Sequence, residues 1–139
     1  MKELSFDTGV VTFLINGVCE ITFNPTDPRI VSKIYDVFNT LEKKQTEYKE
    51  RISKMANKAE IFDLSNELDK EMRSCIDNVF GDVSNKLFGE MNVYSAAGGL
   101  PVWCNFILAI IDELDDAFSR EQKLTNPRLK VYLNKYKKQ

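Results

Sequence analysis

Ile34, Leu41, Tyr48, Met55 and Phe62 stand seven residues apart, a period that one stripe of an α-helix keeps and a β-strand does not. Ile30, Val37, Phe38 and Ile52 fill the intervening threes and fours. Asp27 followed by Pro28 is a start signal, an N-cap with proline at the first helical position. The apolar face resumes with Ile61, Leu64, Leu68, Met72, Cys75, Ile76 and Val79 and stops at Gly81, a residue suited to a helix C-cap. A long charged helical stretch over about 28–80 is therefore predicted. Its middle is thin, because Lys44, Arg51 and Lys58 occupy the places where the second core residue of each heptad belongs. From 42 to 60 the chain's own core covers the helix poorly. Either it projects as an arm to be clasped by a neighbour, or it breaks near Asn57 into two antiparallel helices. Tyr48, Ile52 and Met55 are its candidate partner-binding residues.

The residues before this helix follow a different period. "LSFDTGVVTFLI" and "VCEITF" are rich in β-branched and aromatic residues and flank Asn16-Gly17, the strongest short-range signal for a hairpin. A β-hairpin over residues 3–23 is expected. Its second strand points Cys19, Ile21 and Phe23 to one face and Val18, Glu20 and Thr22 to the other. An isolated hairpin is only marginally stable, so the apolar face belongs on the chain's own helices or against a second chain.

Pro101 opens another helix, over about 101–120, with Trp103, Phe106, Ile107, Ile110, Ile111, Leu114 and Phe118 in a wide apolar stripe. This is the expected central core helix. Between it and Gly81 the chain makes one short turn, stops again at Phe88-Gly89 and reaches Gly98-Gly99. Phe80, Gly81, Phe88 and Gly89 read as a structural corner. Each glycine ends a helix, and each phenylalanine turns back onto the Trp103–Phe118 helix. Residues 1–122 form one domain in this reading, and 123–139 form a basic amphipathic segment. That segment carries six basic residues and no acid, so the remainder, from a total of −2, stands at −8. Leu129, Tyr132, Leu133 and Tyr136 recur at helical spacing in it and suit docking into a partner's groove. The fold class is mainly α with an N-terminal β-hairpin (α+β), a long charged helix and a helical core.

Composition closes several routes. With no histidine, neither a Ser-His-Asp nor a Cys-His arrangement can form. The three cysteines, Cys19, Cys75 and Cys104, are far apart among apolar neighbours, which suits reduced core thiols and not a metal site. No metal and no cofactor is expected. The near balance of 19 basic and 21 acidic residues argues against binding held by phosphate contacts, so no nucleic acid is expected. The longest apolar run, Phe106 to Ile111, is too short to span a bilayer, and a cytoplasmic protein is expected. Asp112 and Asp116 share a helix face at i and i+4, but they lie opposite the apolar stripe, where a solvated face belongs.

"IDNVFGDVSNKLFGEMN", residues 76 to 92, resembles the signature segment of a family of small tail-region proteins of Gram-positive phages and prophages. The matching positions are Phe80, Gly81, Asp82, Lys86, Leu87, Phe88, Gly89 and Asn92. The outline of an opening hairpin and a long charged helix is similar too, whereas "VYSAAGGLPVWCN" and the basic tail depart from the pattern. The resemblance implies a tail assembly chaperone, not an enzyme, in the cytoplasm of a bacterial host cell. Its partners would be itself, the tape-measure protein or the tail tube protein. A phage-encoded inhibitor of a host or defence protein is the alternative, and an enzyme using Asp112 and Asp116 is the third class.

Overall fold

The computed structural model describes residues 1–124, 131, 134 and 135. The chain is mainly α-helical with an N-terminal antiparallel hairpin. In order it forms β1 (Val11–Ile15), β2 (Cys19–Phe23), α1 (Pro28–Ser53), α2 (Lys58–Phe80), α3 (Ser84–Phe88), a two-residue pair β3 (Ala96–Ala97) and β4 (Leu100–Pro101), and α4 (Val102–Lys123).

The hairpin turns at Asn16-Gly17, both at positive φ (50° and 69°). The Val18 N–H closes the turn on the Ile15 carbonyl at 3.0 Å, and Ile15 faces Cys19 in the ladder. Cys19, Ile21 and Phe23 are buried while Glu20 and Thr22 are exposed, so the alternation decides the face, and that face joins the core of its own chain. The first strand is shorter than the sequence suggests. Residues 3–10 stay outside the sheet, because Gly9 takes φ +71° and its N–H donates to Asp7 Oδ1 at 2.9 Å, which turns the chain away before Val11.

Asp27 caps α1 by accepting from the Arg29 N–H, with Pro28 at the first position. The stretch 28–80 is two helices rather than one. The Lys54 and Met55 N–H groups donate to the carbonyls of Arg51 and Ile52 three residues back, which tightens and ends α1. Asn57 then restarts the chain, accepting from the N–H groups of Ala59 and Glu60. The two helices pack antiparallel, with Lys44 bridging to Glu71. The heptad seam does not survive this break. Ile34 and Leu41 are fully buried, Tyr48 and Met55 half-buried, and Phe62 is 63% exposed, because Met55 falls in the link and Phe62 on a new helix with its own phase.

The core is built around α4, which buries Trp103, Cys104, Phe106, Ile107, Ile110 and Leu114 against Ile34, Val37, Leu41, Met72 and Ile76. Trp103 stacks near Phe38, with centroids 5.9 Å apart, and its indole N–H donates to Gln45 Oε1 at 3.0 Å. Ala117 completes the stripe. Phe118, expected within it, is exposed, since it lies one residue round the helix from the buried line. All three cysteines are free thiols, with Cys19 and Cys104 buried. Burial raises the Cys104 thiol above its ordinary value, and Glu42 adds to the shift.

Candidate functional site

The corner between α2 and α4 is held by side chains four residues apart on α2. Asp77 Oδ1 accepts from the N–H groups of Val83 and Ser84 at 3.0 and 2.8 Å, and Ser84 Oγ donates to Asp77 Oδ2 at 2.7 Å. One turn earlier, Arg73 donates to the carbonyls of Gly89 and Met91 at 2.7 and 2.6 Å, to Asn85 Oδ1 at 3.2 Å and to Asp69 Oδ2 at 3.0 Å. Its guanidinium carbon also sits 5.8 Å from the centroid of the Phe88 ring. Asp69 in turn accepts from the Val93 N–H at 2.7 Å, and Ser65 receives Asn92 Nδ2 through its carbonyl and hydroxyl. Ser65, Asp69, Arg73 and Asp77 thus stitch residues 83–93 onto α2. A polar line at this spacing reads from sequence as a solvated face. Only the returning chain shows what it is for, so these clamp residues were missed.

Gly81 and Gly89 terminate α2 and α3 at φ 86° and 57°. Phe80 and Phe88 set their rings edge-on to Phe106 of α4, with centroids 5.4 and 6.0 Å away. Gly98 and Gly99, both at positive φ, form the turn of the β3–β4 hairpin.

Between this corner and the first hairpin lies an apolar groove of about 480 Å³. Phe13, Leu14, Ile15 and Phe23 form one wall. Leu87, Phe88 and Met91 form the other, and Val102, Phe106, Ala109 and Ile110 of α4 form the floor. Asn16, Asn105 and Glu113 supply the polar rim, and Glu113 is held by Arg120 at 3.1 Å. Such a volume and an apolar lining suit a few side chains of a partner. Chemically the groove can desolvate apolar groups and offer the edge of β1 to another backbone.

The other candidate residues lie elsewhere. Tyr48 packs on Tyr94 with ring centroids 4.4 Å apart, while Ile52 at the end of α1 and Met55 in the link after it are half-buried. None of the three lines the groove. The Tyr94 hydroxyl is buried without a hydrogen-bond partner. Desolvation, followed by the neighbouring Tyr48 and Glu71, holds it above the ordinary tyrosine range. Leu129, Tyr132, Leu133 and Tyr136 lie outside the described residues. Asp112 and Asp116 are exposed on α4. Among the described residues no three Cys, Asp or Glu side chains gather as a metal site would require, and no helix is long and apolar enough to cross a membrane.

No family model, no curated protein and no solved structure matches the chain.

Proposed function

We propose that this protein is a non-enzymatic assembly factor, a tail assembly chaperone of the phage kind that its corner segment resembles, acting in the cytoplasm of a bacterial host. The observation that carries the reading is the apolar groove between β1 and the corner. Its exposed members include Leu14 and Met91, large side chains that gain from being covered by a partner. The tape-measure protein that the resemblance implies is long and helical, and helix-in-groove docking needs only a few apolar anchors. The clamp of Arg73 and Asp77 keeps the corner wall in place without a client, so the groove is preformed and little ordering cost opposes binding.

The test is co-expression with the tape-measure protein of the same genome, followed by co-purification. Ala109 is an exposed groove-floor residue, so Ala109→Arg leaves the core intact while placing a charge in the groove. The expected outcome is that the wild type retains the tape measure and Ala109→Arg loses it at an unchanged melting temperature. A wild-type chain that never retains the tape measure overturns the chaperone reading.

A further inference from the structure

The groove has an edge that the other described residues leave open. Among them β1 pairs with β2 only, so its outer row of N–H and C=O groups has no described strand beside it. Successive residues of a strand point to opposite faces. Phe13, Leu14 and Ile15 nevertheless all line the groove, so the groove runs along the strand's edge and not over one face. That edge, "VTFLI", contains no charge and no proline, the usual protections of an exposed edge strand.

Immediately before β1 lies a segment that has the opposite need. Residues 1–10 are exposed throughout, with Leu4 at 83% and Phe6 at 85%. Two residues apart, these side chains share one face of an extended chain. The root of the segment is built. Asn24 Nδ2 donates to the Thr8 carbonyl at 2.8 Å, and Asn24 Oδ1 is itself fixed by the N–H and hydroxyl of Thr26. Gly9 takes φ +71° and a Cβ there would lie 2.7 Å from Asn24 Nδ2, so both the backbone angle and the close approach favour glycine. Leu4 and Phe6, like Met1 and Val10 of the same segment, are therefore left uncovered.

We infer that residues 3–7 of a second copy of this chain pair along the open edge of β1 and place Leu4 and Phe6 in the groove. The proposal rests on reading the groove as a protein-binding site and names its occupant before a client arrives. Each copy carries both a donor segment and an acceptor groove, so two copies can exchange segments in a closed, two-fold pair. Main-chain bonds to β1 supply part of the affinity, and burial of the alternate side chains Leu4 and Phe6 in the groove supplies the selectivity.

The test uses the full chain alone, so its failure is distinct from failure to bind a tape measure. Leu4→Ser with Phe6→Ser spoils the donor at exposed positions, and Ala109→Trp fills the acceptor. Light scattering coupled to sizing at micromolar concentration should give a two-chain mass for the wild type and a one-chain mass for each variant, with unchanged melting temperatures. Mixing the two variants should restore a two-chain species, because one intact groove then meets one intact segment. A wild type that is a single chain at every concentration overturns the proposal. So does a two-chain species that survives both variants, which would place the contact on another surface. A single chain whose residues 1–7 are protected from proteolysis would put the segment in its own groove and also overturn it.

Discussion

Tyr94 carries the clearest chemical signature of a single residue in this molecule. Its ring is useful, packed on Tyr48, but its hydroxyl is buried without a partner. An unmade hydrogen bond of this sort costs about 1–3 kcal/mol. Tyr94→Phe keeps the ring and removes the orphan, so chemical denaturation should show the variant to be equally stable or more stable by up to about 1 kcal/mol. The pH dependence follows from the same burial. The unfolded chain ionises this tyrosine at its ordinary value, whereas the folded chain resists. The unfolded state therefore gives up the proton first, and stability falls as pH rises above about 10. Tyr94→Phe should flatten that alkaline loss. An alkaline slope identical in the two proteins would assign it to other groups.

The elements are joined by stops and restarts whose chemistry is local. Asn57 and Asp27 cap their helices through their own side chains, and the two Phe-Gly stops work through backbone angles. Gly81 sits at φ 86° and ψ −172°, a region that is essentially restricted to glycine. A Cβ there meets nothing within 4 Å, so the requirement is conformational and not steric crowding by neighbours. Gly81→Ala should cost about 1–3 kcal/mol in equilibrium unfolding. The preceding Phe80 stands against Phe106, so the strain cannot be released by moving α2 without breaking that contact. A loss below about 0.5 kcal/mol, the range of ordinary surface changes, would mean that the corner relaxes freely.

Across the described residues, α4 packs against the other elements, and exposed apolar surface includes the groove with the segment before β1 and the distal end of the α1–α2 pair, where Phe62 is exposed. α4 runs to Lys123, and its buried line ends at Ala117. Among the described residues α4 adds nothing to the buried line after Ala117. Deleting residues 124–139 should leave the melting temperature nearly unchanged while weakening co-purification with the tape measure, since that segment holds five of the six basic charges after Gln122 and all four of its predicted anchors. If the truncation collapses the melting transition and leaves co-purification intact, the segment is a structural helix.

Several elements were legible because their signals are local. Asn16-Gly17, Asp27-Pro28, the alternating face of β2 and the apolar stripe of α4 each depend on residues within one or two turns of chain. The Phe-Gly corner was legible for the same reason, since a glycine at a helix end needs no distant partner to be recognised. The heptad from Ile34 to Phe62 left open a projecting arm or a break near Asn57, and the break is what forms: backbone bonds tighten at Lys54 and Met55 and Asn57 restarts the phase, so Met55 and Phe62 leave the seam. The clamp of Ser65, Asp69, Arg73 and Asp77 and the groove were not legible at all. The clamp depends on residues 83–93 returning to α2, and the groove draws on segments as far apart as Phe13 and Glu113 that only packing around α4 brings together. Sequence alone sufficed for the hairpin turn and its buried face, the start of α1, the glycine stops of α2 and α3 and the apolar stripe of α4, because those follow from neighbours along the chain. The tertiary structure alone decided which polar line became a clamp and where an apolar cleft was left open, because both depend on how the finished elements meet across space.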